Sequence, residues 1–389
     1  MSIGASGEVT SQHGPEYFPL LDGLRAVAVG CVLLAHFSPT IGARVNLGLF
    51  GVQLFFVLSG FLITGLLLDA RGRIRAGRTT LSAEWRAFLM RRTLRIFPLY
   101  YGVILLGLAC NVEGVRANAG WLLTYTYNFR IWRAGGWPDP LLAHFWSLAV
   151  EEQFYLIWPW LVLCAPRRLL PWIMLTLLPA AVAFRFACRH GSLGPPIGQE
   201  VLLPACWDLL AAGALMAWAR HSGWSASARH RLILQVLFVI GLAGFVRNVS
   251  LTPEALEGYW FGRLDFTCDA LFFAVLVQIC ACNRIRWLRW ILGWPALLYL
   301  GRISYGIYVF HNFMHYLGPG LSRHLFGVRY FPHEWAHVLW LSACSVAAAA
   351  VSYHFYERPW QGLKRRWSPS AISKNPPFKL AGAPGGSIR

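Results

Sequence analysis

Apolar residues along this chain gather in long blocks separated by short polar stretches. The blocks fall at about 20–38, 47–68, 92–110, 145–164, 169–187, 200–219, 232–247, 265–282, 296–317 and 335–354. Most approach the roughly 20 residues that an α-helix needs to cross the hydrocarbon of a bilayer. The pattern predicts an all-α, polytopic transmembrane helix bundle of about ten spans. Pro98 and Pro204 stand inside the third and sixth blocks, where a missing N–H and a clashing ring kink or break a helix. An even number of spans returns the chain to the side on which it began.

Composition agrees with the pattern. Hydrophobic residues make up 56% of the 389 positions and charged residues 13%, with 19 Trp and 25 Phe. A soluble fold of this length could not bury that much apolar surface. The formal charge of +18 invites a nucleic-acid reading, but the cations are mostly Arg in short loops and no compact basic domain carries them. No nucleic-acid partner is expected. Counting loops alternately gives about 23 Arg and Lys on one side, including "RGRIRAGRTTLSAEWRAFLMRRTLR", against about 10 on the other. Positive loops stay inside, so both termini are expected to be cytoplasmic.

The nine cysteines are scattered through apolar runs without a C-x-x-C pair, so neither a metal site nor a disulfide framework is expected. The start of the chain has no basic region followed by a small-residue cleavage site, and no removed leader is expected. Residues 1–366 read as one membrane domain. Residues 367–389, rich in Pro, Gly, Ser and Lys, read as a disordered cytoplasmic tail. The absence of a visible internal repeat weighs against a secondary transporter.

The first block, "LDGLRAVAVGCVLLAHF", keeps Asp22, Arg25 and His36 among its apolar residues. Ionisable groups in hydrocarbon are costly and usually functional. Arg25 and His36 lie eleven positions apart. At 100° per residue this is three turns plus about 20°, so both project from one face, about 16–17 Å apart along the axis. They read as two stations on one polar track, too far apart for a direct hydrogen bond. The plainer alternative pairs Asp22 with Arg25 at the helix end and leaves His36 at the interface before Pro39.

Six stretches follow one another: "LDGLRAVAVGCVLLAHF", "GVQLFFVLSGFLIT", "RRTLRIFPLYY", "HFWSLAVEEQFYLIWP", "LGRISYGIYVFHN" and "YERPW". In this order they resemble the membrane acyltransferase 3 family, bacterial integral-membrane O-acyltransferases that modify surface polysaccharides and related molecules. The resemblance covers about residues 17 to 366. It implies a bundle of about ten helices in the bacterial inner membrane, a cytoplasmic acyl-coenzyme A donor, most simply acetyl-coenzyme A, and a carbohydrate or glycolipid acceptor. It also implies that Arg25 and His36 are needed for activity. Some family members carry a further periplasmic domain, and this chain is expected to stand without one. Alternatives within and beyond the class are a succinyl donor, a macrolide or lipid acceptor, or a transporter or acyl carrier.

The implied reaction sets an acceptor hydroxyl on a thioester, with acyl-coenzyme A as substrate and no permanently bound cofactor. His36 is the natural general base, since imidazole titrates near neutrality. Arg, Tyr or Trp donors could hold the oxyanion. Glu151 and Glu152 are adjacent and therefore 100° apart on their helix. One is expected to face a cavity and to orient His36 or accept a proton, with Glu151 favoured. A purely structural pairing of these acids with Arg is the competing view. Arg92 and Arg95, with Arg25 and Arg302 nearby, are assigned to the phosphates of the donor, which Arg binds through paired hydrogen bonds. The competing view gives Arg92 and Arg95, like Arg71, Arg73, Arg75 and Arg78, only a topological role.

Asp22, Tyr155, Ser304, Tyr308 and His311 are expected to line the cavity. The last three lie at i, i+4 and i+7 on one helix face, a spacing that serves interhelical hydrogen bonding equally well. Ser59 and Gly60 are expected to allow close packing on the first helix. His144 reads as interfacial. Among loop aromatics, Trp121, Tyr125, Tyr127, Trp132, Trp137 and Trp260 are candidates to stack on a sugar, without a choice among them.

Overall fold

A computed structural model describes residues 17–223, 228–250 and 264–363. The expected tail at 367–389 and Trp260 lie outside the described residues. Among those residues the secondary structure is entirely helical, with ten helices of 15 residues or more. They are α1 (Pro19–Phe37), α2 (Leu47–Arg75), α3 (Leu81–Ala109), α4 (Phe145–Cys164) and α5 (Leu170–Arg189). The second half holds α6 (Trp207–His221), α7 (Ala228–Ser250), α8 (Asp265–Cys282), α9 (Ser304–Phe326) and α10 (Glu334–Val351). Eight of the ten expected blocks each coincide with one of them. Seven helices among the described residues are long and apolar enough to cross a membrane. The Glu151-Glu152-Gln153 run lowers the hydropathy of α4, and α6 has only 15 residues.

Two blocks depart from the expected form. Residues 200–219 do not make one helix: Gly198–Val201 ends at Leu202, a 3₁₀ turn spans Leu203–Cys206, and α6 begins at Trp207. Pro204, lacking an N–H, sits where the break falls. Residues 296–317 divide at Ile303 into Pro295–Arg302 and α9. Pro98, by contrast, is carried inside an unbroken α3, and the hydroxyl of Tyr356 donates to its carbonyl at 3.1 Å.

α1 starts with Pro19 in its first turn, followed by Asp22, a residue order that suits a free N–H end and its positive dipole. It ends at Ser38, whose hydroxyl accepts from the N–H of Ile41 and caps the short helix Pro39–Arg44. Packing places α1 against α2, α9 and the Pro295–Arg302 helix. Ser38 and Thr40 both donate to the carboxylate of Glu334 at the start of α10.

The expectation for Gly60 is corrected. A Cβ there would collide with the carbonyl of Leu210, and one at Gly213 with the carbonyl of Val57. Gly60 therefore serves a close crossing of α2 with α6, while α1 approaches α2 lower on the same helix, at Gly51 against Ala28. Ser59 turns to α4 and shares a 2.7 Å hydrogen bond with the buried Tyr155 hydroxyl. Trp158 Nε1 donates to Thr64 at 2.8 Å and Arg71 to the Val162 carbonyl at 2.6 Å, so α2 and α4 are tied along their length. Arg73 forms a two-pronged pair with Glu84, both contacts at 2.8 Å, across the turn from α2 to α3. Arg71 and Arg73 thus hold helices together as well as carrying charge.

Candidate active site

Three cavities follow one another through the bundle. At one end, a basic cavity of ≈ 730 Å³ is lined by Asp22, Arg25, Arg92, Arg95, Arg220 and Arg302, among others. A middle cavity of ≈ 100 Å³ shares Arg25, Arg92, Arg95 and Tyr305 with it and adds Ser59, Ser147, Glu151, Tyr155, Ser304 and Tyr308. A third, of ≈ 380 Å³, shares Val52 and Tyr308 with the middle one and is lined by His36. α1 contributes Arg25 to the first two and His36 to the third. This arrangement follows from the regular helix, which keeps the two residues on one face about three turns apart.

At the basic end, Arg25 donates to Asp22 at 2.7 Å, and the Tyr17 hydroxyl donates to the other oxygen of the same carboxylate at 2.8 Å. The pairing at the helix end is therefore present, and both partners still face the cavity. Burial, then the Asp22 carboxylate, raises the pKa of Tyr17 and keeps its hydroxyl protonated as a donor. Arg302 reaches the same hydroxyl at 3.5 Å. Arg92 lies over the rings of Phe88 and Tyr155, 5.8 and 5.7 Å from their centroids. Five arginines thus face three carboxylates, those of Asp22, Asp69 and Glu357, on this wall. Such a surplus of guanidinium groups favours a polyanionic ligand.

In the middle, Glu151 faces the cavity with Arg92 and Arg95, while Glu152 is turned away. Glu152 is buried, and its Oε1 has no hydrogen-bond partner among the described residues. The 100° between neighbours separates the two roles. The expectation that one of these acids orients His36 is not met. The Nδ1 of His36 is held by the carbonyl of Val32 at 2.8 Å, one turn back on α1. A carbonyl only accepts, so Nδ1 carries the hydrogen and Nε2 of the neutral ring is left as an acceptor.

His311 is likewise placed differently from the expectation: it does not line these cavities. It is fully buried behind His36, its ring centroid 4.8 Å away and nearly perpendicular, and 5.0 Å from that of His144. One further turn along α9 brings this face onto α1 rather than onto the open space that Ser304 and Tyr308 border. His144 is no interfacial residue; it is 3% exposed. Its Nε2 is 3.1 Å from the Val309 carbonyl and its Nδ1 accepts from Asn312 at 3.1 Å. His311 forms the packed backing of His36, and His144 borders the same cavity as His36.

Sequence reasoning passed over a buried polar cluster along the His36 cavity. Arg185 donates to the Ala205 carbonyl at 2.6 Å, to Asp208 at 2.7 Å and to Thr267 at 3.0 Å. Asn248 donates to Asp269 at 3.1 Å, and Arg247 pairs with Asp265 at 3.1 Å. The signal was the one used for α1: ionisable residues inside apolar blocks. Of the loop aromatics, Trp137 reaches this cavity, whereas Tyr125 and Tyr127 are buried in the packing.

Residues 18–357 match the family model described as the acyltransferase domain, and the chain belongs to this acyltransferase family. Within that family it is an all-helical member among the described residues, seven of whose helices are long and apolar enough to cross a membrane. It is 31% identical over 376 residues to a Bacillus subtilis protein named for peptidoglycan O-acetylation, YrhL, covering 90% of this chain and 55% of that one. The peptidoglycan O-acetyltransferase OatA of Listeria monocytogenes is 28% identical, over 90% of this chain and 57% of its own length. The O-acetyltransferase OatA of Staphylococcus aureus is 31% identical over 77% of this chain and 51% of its own. The chain spans a little over half the length of the relatives it matches. No solved structure matches it.

Proposed function

We propose that the chain moves an acetyl group from cytoplasmic acetyl-coenzyme A to a hydroxyl of a carbohydrate acceptor, as a ten-span protein of the bacterial inner membrane with both termini in the cytoplasm. The observation that carries this reading is the continuity of the three cavities, with Arg25 at one end and His36 at the other of a single helix face. The coenzyme's phosphates rest among Arg25, Arg92, Arg95 and Arg302. The pantetheine arm, whose reach is comparable with the 16–17 Å rise between Arg25 and His36, runs through the middle cavity past Glu151 and Tyr155. The thioester then arrives at Tyr308, beside the His36 cavity.

There the Nε2 of His36 takes the proton of the acceptor hydroxyl as its oxygen attacks the thioester carbonyl. The tetrahedral intermediate carries its negative charge on the former carbonyl oxygen, within reach of hydroxyl donors such as Tyr308. Its collapse breaks the carbon–sulfur bond, and the thiolate leaves with the proton from His36. The carbohydrate acceptor accords with the peptidoglycan named for the relatives.

Release of free thiol from acetyl-coenzyme A by the purified protein in the presence of an N-acetylglucosamine oligosaccharide as acceptor, followed with a thiol-reactive dye, tests the proposal. Wild type is expected to release thiol and His36→Ala to lose the activity. Undiminished release by His36→Ala removes the proposed base.

A further inference from the structure

The His36 cavity is more than a vestibule. Its wall away from α1 is built by Gln53 of α2, Asn248 of α7 and Asp269 of α8, respectively 1%, 2% and 1% exposed. The Nε2 and Oε1 of Gln53 and the Oδ1 of Asn248 have no hydrogen-bond partner among the described residues. The Asn248 amide cannot be turned to cure this, because its Nδ2 already donates to Asp269. The site therefore offers one free donor and two free acceptors, which a sugar hydroxyl, both donor and acceptor, can meet. Buried acceptors left without donors are costly, and two beside one cavity call for a ligand that brings hydroxyl hydrogens.

The charges on the wall narrow the ligand further. Asp265 and Glu200 would repel an anion, and Arg185 and Arg189 would repel a cation. Arg185 is itself saturated by Asp208, Thr267 and a carbonyl, so it braces the wall and has little left to offer a phosphate or carboxylate. Trp137 and Trp146 add flat apolar surface. A volume of ≈ 380 Å³ lies within the range of small-molecule sites. Unfilled acceptors, balanced charge and ring faces suit a neutral, hydroxyl-rich sugar.

We infer that this cavity is the acceptor subsite, in which Gln53, Asn248 and Asp269 hold a neutral sugar unit with one hydroxyl turned to His36. The inference rests on the reading of the chain as an O-acyltransferase and adds the residues that select its acceptor. Of the three, only Gln53, in "GVQLFFVLSGFLIT" of the second helix, belongs to a motif-bearing stretch.

The test uses the full chain in lipid nanodiscs and chitotriose, a neutral trisaccharide of N-acetylglucosamine, with binding read by saturation-transfer NMR. Wild type is expected to bind. Gln53→Leu, which keeps the approximate shape and removes both polar atoms, and Asp269→Asn, which replaces the carboxyl group by an amide, are each expected to weaken binding about tenfold or more. Coenzyme A binding by the same variants checks that the bundle is intact. Absence of chitotriose binding to wild type, or equal binding by wild type and both folded variants, overturns the inference. Thiol release by wild type keeps the two readings apart. Its loss would count against the transferase reading alone, while the sugar-binding comparison still decides the subsite.

Discussion

Ser147 and Tyr308 are joined by a 2.6 Å hydrogen bond between their hydroxyls at the seam where the middle cavity meets the His36 cavity. Both hydroxyls also lie 3.1 Å from the carbonyl of His144. Two protons are thus shared among three oxygens, which fixes the Tyr308 ring between the proposed donor path and the proposed base. α4 and α9, distant in sequence, meet at this point.

Tyr308→Phe keeps the ring and removes the hydroxyl. Ser147 retains the His144 carbonyl, so the stability cost is about that of one buried hydrogen bond, ~0.5–1.5 kcal/mol. If the hydroxyl also serves the developing oxyanion, kcat is expected to fall about 10–100-fold. Thiol-release kinetics set beside thermal unfolding separate the two roles: a melting change with unaltered kcat makes Tyr308 a scaffold residue only.

Arg95 borders both the basic and the middle cavity and has no ion-pair partner among the described residues. Arg95→Ala is expected to raise the KM for acetyl-coenzyme A about tenfold, with a smaller effect on kcat, as the loss of a charged hydrogen bond implies. Arg95→Lys restores the charge but not the paired geometry and is expected to recover only part of the affinity. An unchanged donor KM in Arg95→Ala counts against a role in holding phosphate.

The first helix was the most legible part of the chain. Arg25 and His36 stand in one continuous helix, and simple angular arithmetic placed them on a shared face. Eight of the ten apolar blocks each coincide with one helix, while those at 200–219 and 296–317 are broken, at Leu202–Cys206 and at Ile303. What stayed hidden depends on contacts between helices far apart in sequence. The Gly60 crossing needs Leu210, the Arg185 cluster needs Asp208 and Thr267, and the burial of His144 needs Val309 and Asn312. Periodicity tells which face a residue occupies, but not which neighbour that face meets. His311 illustrates the limit. It shares a face with Ser304 and Tyr308 by spacing, yet one turn further on, α1 closes over that face.

The tautomer of His36 sets the sign of the pH dependence. With Nδ1–H committed to the Val32 carbonyl, protonation can only occur at Nε2, the atom that must accept the acceptor's proton. At low pH the ring is charged and inactive as a base. kcat/KM is therefore expected to rise about tenfold per pH unit and then level off as the imidazole becomes neutral. A pH series with wild type and with His36→Gln provides the check. The variant's residual rate should lack this rise, and a matching profile in both would assign the titration to another group.

The crossing of α2 with α6 makes a prediction about folding rather than chemistry. Gly60 and Gly213 each leave the space that a carbonyl of the opposite helix occupies, Leu210 for one and Val57 for the other. Because the obstacle in each case is backbone, a side chain cannot be accommodated by a rotamer change alone, and the helices must separate. Overpacking of this kind commonly costs about 1–3 kcal/mol and sometimes more. Separation would also disturb Ser59, next to Gly60, whose 2.7 Å bond to Tyr155 of α4 borders the middle cavity. Gly60→Leu is accordingly expected to lower the amount of folded protein recovered from membranes and to lower its melting temperature. Gly65→Leu, on the same helix with open space around it, is expected to be recovered near the wild-type level. Size-exclusion profiles and thermal melts of the two detergent-extracted variants make the comparison, and equal recovery of both would show that the helices do not cross as closely as this packing requires.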